Sequence, residues 1–169
     1  MIRTAAVAVA LAALLALSPG AVPAATTYSD SITGAEYFFT STEGRFAGKA
    51  YGDLPGYWNT VVDHTPLAIG STPTATITGG NFELTTTLNS VPTLITGDIT
   101  GGTINVINAS TGCTDQVFEV DGTLAHVGPW FTGSGSGTFS AQLTHHRVPI
   151  FGHCVIYAAT VSGTLSLSF

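Results

Sequence analysis

The stretch from Cys113 to Phe169 decides the fold of this chain, because it holds three strand-like runs: VFEVDGTLAHV at 117–127, GTFSAQLTHHR at 137–147 and GHCVIYAATVSGTLSLSF at 152–169. In each run apolar residues occupy every second position, which is the period of a β-strand with one face in a core. The simplest arrangement of three such runs is an antiparallel meander.

The chain before Cys113 shows the same strand-like character. A turn sequence, Asp-Leu-Pro-Gly at 53–56, separates two of its runs, and the polar segment 26–33 is expected to be an arm or a first edge strand. The further runs of β-forming residues lie at 36–40, 45–51, 57–63, 74–87 and 93–108. No segment after the first 25 residues sustains helical spacing, so about eight to ten strands are predicted. An all-β fold follows, either a single antiparallel β-barrel or a β-sandwich.

Repeated glycines favour the barrel. Gly79-Gly80 and Gly101-Gly102 lie in two similar phrases, TITGGNFEL at 76–84 and DITGGTINV at 98–106. Glycine within a strand marks a bend or a close backbone approach, and bends at matching points let a sheet close. The alternative is that each glycine pair forms a two-residue hairpin turn.

The first 24 residues predict a Sec-type signal peptide. Their apolar run, Ala5 to Leu17, is too short to span a bilayer, and Val22-Pro23-Ala24 offers a small-residue cleavage pattern. The expected mature protein is therefore one secreted domain, residues 25–169, in the extracellular space or at the cell surface. No integral membrane segment is expected in that mature chain.

The charge of the chain argues against polyanionic partners. The net charge is −6, and loss of Arg3 with the signal peptide leaves three basic residues against ten acidic ones, a net charge of −7. Nucleic-acid binding depends on basic side chains that neutralise phosphates, so we expect no nucleic-acid partner. The sequence does not predict an oligomeric state.

Cys113 and Cys154 are the two cysteines of the chain. An exported pair predicts a disulfide bond, with two buried thiols as the alternative. In a strict meander their strands would lie about 10 Å apart, beyond the reach of a disulfide, so either Cys113 lies in a loop that folds over or the strand order is not a simple meander, and we favour the loop. The chain has no Cys-x-x-Cys motif, and we predict neither a metal site nor a cofactor.

Strand parity predicts one candidate binding site. The apolar parity of the three runs also carries several polar residues, and in a meander some of them would gather at one inward-facing rim. The candidate ligand-binding residues are His145, Arg147, His153, Tyr157, Phe118 and Phe151. His126 is expected on the inward side at the opposite end. The alternative is that these are ordinary polar side chains at strand ends.

Other catalytic signals are absent from the sequence. It has no Gly-x-Ser-x-Gly elbow, no His-Glu-x-x-His motif and no phosphate-binding glycine loop, so no catalytic residue is assigned. Glu36, Glu83 and Glu119 each lie opposite an apolar parity and are expected to face solvent. Trp58 and Trp130 are expected to be core or loop anchors, with a sugar-binding platform as the alternative.

The glycine-bent strands, with Gly135-Ser136-Gly137-Thr138-Phe139 and the final Gly163-Thr164-Leu165-x-Leu167, resemble small exported barrels of the dirigent and allene-oxide-cyclase-like group. The composition also resembles that of uncharacterised secreted proteins of actinobacteria. The first resemblance implies a cofactor-free cyclase or guide protein, but it assigns no residue a role. Three hypotheses remain: a non-catalytic barrel that binds a small apolar or amphipathic ligand or a surface partner, such a cyclase or guide, and a structural or interaction protein with a packed interior.

Overall fold

A computed structural model of the protein describes residues 24–66, 74–108, 112–129 and 133–169. The predicted signal peptide up to Pro23, and Trp130, lie outside these described residues. The strands are β1 Thr27–Phe39, β2 Glu43–Gly52, β3 Gly56–His64, β4 Ala75–Leu88, β5 Val91–Val106, β6 Gln116–Pro129, β7 Gly135–Ile150 and β8 His153–Ser168. Across the described ranges, no helix is long and apolar enough to cross a membrane.

The eight strands form a closed antiparallel barrel in simple meander order. Each strand pairs with the next, and β8 returns to β1 in a ladder that runs from Thr27↔Ser168 to Ala35↔Thr160. The predicted all-β barrel is confirmed and the sandwich alternative is wrong. The polar segment 26–33 belongs to β1, which is paired on both sides and is therefore not an edge strand.

The glycine pairs lie inside strands β4 and β5, so the hairpin-turn alternative is wrong. Gly80 has φ +137°, and a Cβ atom there would lie 2.0 Å from the carbonyl oxygen of Val61. Gly102 has φ +151°, and its Cβ would lie 2.0 Å from the carbonyl oxygen of Asp121. Only glycine allows this backbone conformation and this interstrand approach.

One end of the barrel, which we call the plugged end, is closed by apolar side chains. Leu54 of the β2–β3 turn is 1% exposed, and its N–H donates to Oδ1 of Asp30 at 2.9 Å. The rings of Tyr28 and Phe169 stack beside it with centroids 4.9 Å apart. Burial raises the pKa of the Asp30 carboxyl, against the opposing effect of the Leu54 N–H.

At the other end, the arm end, β7 and β8 extend beyond the barrel as a hairpin. β6 begins its pairing with β7 at Gln116↔His145, and β1 pairs with β8 only as far as Thr160. Residues 146–159, the arm, therefore pair only with each other. Cys113, in the β5–β6 connection, is bonded to Cys154 of the arm with Cα atoms 5.3 Å apart. The predicted disulfide and the loop position of Cys113 are both confirmed.

Among the β-bulges of the described strands, three reverse the alternation of side chains close to residues of the predicted site. In the β7–β8 ladder the partner changes from Ala158 at His146 to Ile156 at Arg147, so Tyr157 is an extra residue. In the same way, the partner residues show that Tyr37 is an extra residue in β1. They also show that His126, at φ +53°, is an extra residue in β6. Each bulge moves the residues beyond it to the opposite face.

Candidate functional site

A buried polar pair lies inside the barrel at the arm end. Nε2 of His145, in β7, donates to Oε2 of Glu36, in β1, at 2.7 Å, and the two side chains are only 3% and 4% exposed. Nδ1 of His145 is also buried, and it has no hydrogen-bond partner among the described residues. This atom is an acceptor in a neutral imidazole and a donor in an imidazolium, so its hydrogen-bonding capacity is unused in either state.

Glu36 reaches the interior because the alternation of β1 is set by Tyr28, Asp30 and Ile32, whose side chains are buried or half-buried. Continuing through Gly34, this parity places the Glu36 side chain inside. The prediction that Glu36 faces solvent is wrong, because it relied on the apolar residues at 37–39, which lie at and beyond the bulge.

The pair borders a cavity of about 30 Å³, which we call the mouth cavity. Its lining is formed by Glu36, Phe39, Thr40, Phe46, Val62, His64, Ile104, Val120, Leu143 and His145. Phe39 covers the pair, with its ring centroid 5.7 Å from that of His145, while Phe118 packs edge-on against the same imidazole at 5.1 Å. Phe39 is 43% exposed, so this one aromatic ring lies between the pair and solvent.

His64 is a second buried histidine in the mouth cavity, at the end of β3. Its Nδ1 donates to the carbonyl oxygen of Thr65 at 2.8 Å, because a carbonyl can only accept. In the neutral ring Nε2 is then an acceptor. Polar side chains from β1, β3 and β7 thus converge on one small cavity with otherwise mostly apolar walls.

Next to the mouth cavity lies a second space of about 50 Å³, which we call the central chamber. Both spaces are bordered by Phe46, Val62, Val120 and Leu143, so they are neighbours along the barrel axis. The chamber exposes only apolar surface. Trp58 is part of its wall, and the indole Nε1 donates to the carbonyl oxygen of Lys49 at 3.1 Å, which confirms its expected place in the core.

The structure brings together only part of the predicted rim. Phe118 and His145 are buried in contact, as expected from parity. Arg147 is half-buried on the arm, where its backbone N–H donates to Oδ1 of Asp115. The inward placement of Tyr157 and His153 is wrong, because Tyr157 is the bulge residue and the face of β8 reverses before His153.

Phe151 is also misplaced by the parity argument. It occupies the tip of the arm at φ +49° and is 98% exposed, far from the buried pair. Sequence reasoning placed Glu36 in solvent and assigned His64 to no binding site. The signal for Glu36 was the alternation that starts at Tyr28. The prediction treated 26–33 as separate from the strand at 36–40, so it did not extend this alternation to Glu36.

His126 lies outside the barrel, contrary to the inward prediction. As the bulge residue it turns outward, and its Nδ1 donates to Oδ2 of Asp98 at 2.7 Å, with both side chains exposed. Val127 takes the inward place and is fully buried. The outer pair borders a shallow groove with Asn81 and Glu83.

Within the described ranges, no three His, Cys, Asp or Glu side chains converge to hold a metal ion. Comparison of the chain with protein-family models, with curated proteins and with solved structures found no match.

Proposed function

We propose that this chain is a secreted, non-catalytic barrel that binds a small amphipathic molecule. The apolar part of the ligand lies in the central chamber, and its polar group hydrogen-bonds to His145. One observation carries the proposal: Nδ1 of His145 is buried without a partner among the described residues, where the mouth cavity adjoins the apolar central chamber.

The cost of the buried pair supports a functional role. An unsatisfied buried polar atom costs about 1–3 kcal/mol, and a buried ion pair is often no more stabilising than apolar residues of the same volume. Folding alone therefore gives little reason to keep Glu36 and His145 inside the barrel. A ligand that hydrogen-bonds to Nδ1 removes the penalty, which supplies part of its binding free energy.

The size of the interior restricts the ligand class. The two spaces, about 50 and 30 Å³, are well below the roughly 300–1,000 Å³ of pockets for drug-sized ligands. We infer a short-chain amphiphile with a single hydrogen-bonding group, such as an alkanol. A longer molecule enters only if the Phe39 ring swings away from His145.

The proposal is tested by titrating the protein with 1-alkanols of four to eight carbons and with n-alkanes of matched length. Trp58 reports from the chamber wall, and a Trp130→Phe background removes the second indole. We expect a saturable fluorescence change with alkanols. Binding should be at least about tenfold weaker in His145→Leu, because this variant loses about one hydrogen bond to the ligand.

The matched control is His126→Leu, which removes an exposed histidine outside the barrel. It should bind alkanols like the parent. Equal affinity of His145→Leu and the parent would overturn the assignment of His145, and no saturable binding of any alkanol would favour the packed-interior alternative.

A cofactor-free guide protein or cyclase is the second candidate. The observation that favours it is the 2.7 Å contact of a carboxylate and an imidazole in an apolar cavity, an arrangement suited to moving a proton. The two candidates differ in what is recovered after binding. Conversion of a bound ligand by the parent, lost in a Glu36→Gln variant that still binds, would establish the enzyme; unchanged ligand supports the binding protein.

A further inference from the structure

The arm carries an unpaired strand edge. β8 pairs with β7 along the whole arm, but its ladder with β1 ends at Ala35↔Thr160. Residues 153–159 thus have no strand on their second side, and among the described residues no backbone hydrogen bond from them crosses that edge. An open edge of this kind is a template for another strand.

The direction of the free groups follows from the hairpin geometry. Phe151 and Gly152, both at positive φ, form a two-residue turn, so Ile150 and His153 bond each other across it. The N–H and C=O groups of Cys154 and Ile156 then point away from β7. Arg147, the partner of Ile156, agrees with this alternation, because its N–H points away from β8 and donates to Asp115.

The edge lacks charged side chains, which are one of the usual protections against strand pairing. Residues 148–159 contain no Asp, Glu, Lys or Arg, although the chain as a whole has a net charge of −6. Large apolar side chains are exposed along it: Ile150, Phe151, Val155 and Tyr157. The bulge at Tyr157 limits the regular edge to residues 153–156, and the Cys113–Cys154 disulfide anchors this short segment. Such anchoring reduces the entropy lost on pairing.

We propose that two copies of the chain pair through these edges, antiparallel and around a two-fold axis at Val155. Cys154 of each copy then opposes Ile156 of the other, and each pair exchanges two N–H···O bonds. A second copy fits better than an unrelated strand because the edge is complementary to itself. Because residues 148–159 carry no Asp, Glu, Lys or Arg, this pairing places no like charges directly opposite each other.

The register gives a direct test. At the two-fold axis the two Val155 Cα atoms form a non-hydrogen-bonded pair, about 4.5 Å apart, which is within disulfide range. Val155→Cys should therefore form a covalent dimer under mild oxidation, with peptide mapping to verify that Cys113–Cys154 is intact. Val91→Cys is the matched control, an exposed valine at the plugged end, and it should remain monomeric on a non-reducing gel.

Sedimentation measures the same contact without a cross-link. The parent should dimerise with rising concentration, and Val155→Lys should raise the dimer dissociation constant by about tenfold or more, because two like charges face each other at the axis. Val91→Lys should leave it unchanged. A parent that stays monomeric at every concentration, or a dimer that Val155→Lys does not weaken, would overturn the proposal. Either outcome leaves ligand binding at His145 unaffected.

Discussion

The two ends of this barrel are built from the same eight strands, yet a β-bulge near each end has opposite consequences for a polar side chain. At the plugged end the bulge at His126 turns a histidine out to solvent and places Val127 in the core. At the arm end the bulge at Tyr37 comes one residue after Glu36, which stays inside with His145. A bulge therefore serves packing at one end and preserves a buried polar site at the other.

The largest expected effect on stability comes from disturbing a glycine inside a strand, because such glycines allow the barrel that both ends share to close. In Gly80→Ala the new Cβ would meet the Val61 carbonyl oxygen at 2.0 Å and the backbone would be strained at φ +137°. We expect a loss of about 4–6 kcal/mol in the free energy of unfolding, or no folding. Denaturant unfolding measures this. Gly79→Ala is the neighbouring control, because its Cβ meets nothing closer than 3.8 Å, and it should stay within about 1 kcal/mol of the parent.

The second-largest effect shows whether the Glu36–His145 pair at the arm end contributes to the stability of the fold. His145→Leu leaves the Glu36 carboxylate buried without its partner, and we expect a loss of about 3–5 kcal/mol. The double variant Glu36→Leu/His145→Leu should recover to within about 1 kcal/mol of the parent or exceed it. A double variant as unstable as the single one would show that the pair is needed for the fold.

The disulfide is expected to stabilise the arm end by a smaller amount. Replacing Cys113 and Cys154 together by Ser should lower the free energy of unfolding by about 2–4 kcal/mol. Amide hydrogen exchange should increase mainly in the arm, residues 146–159, and little at the plugged end. Uniformly faster exchange throughout the barrel would contradict a local role for the bond.

The smallest effect belongs to the plugged end and depends on pH. Burial holds the pKa of Asp30 above its ordinary value of 3.8, so the folded protein favours the protonated carboxyl. That stabilising contribution is complete below the unfolded pKa and is lost as pH rises through the folded pKa. Asp30→Asn should therefore be more stable than the parent at pH 7 and equal to it near pH 3. Thermal melts at the two pH values test this, and a variant less stable at pH 7 would contradict it.

Much of the fold could be predicted from the sequence because alternation and internal glycines are local signals. The barrel and the burial of Phe118 and His145 followed from them, whereas the Cys113–Cys154 bond followed from the presence of two cysteines in a chain expected to be exported. The site could not be completed in the same way. A single extra residue reverses a strand face, and nothing in the residues around Tyr157 indicated which ladder position would be bulged.

The most direct test of the account is the ¹⁵N resonance of the His145 ring, recorded by NMR while an alkanol that binds is added. We predict that the Nδ1 resonance of His145 shifts when the alkanol hydrogen-bonds to this buried, unpartnered atom. The Nε2 resonance should shift less, because Nε2 stays bonded to Glu36, and the resonances of exposed His126 should not change. An alkanol that saturates the protein without moving Nδ1 of His145 would contradict the account.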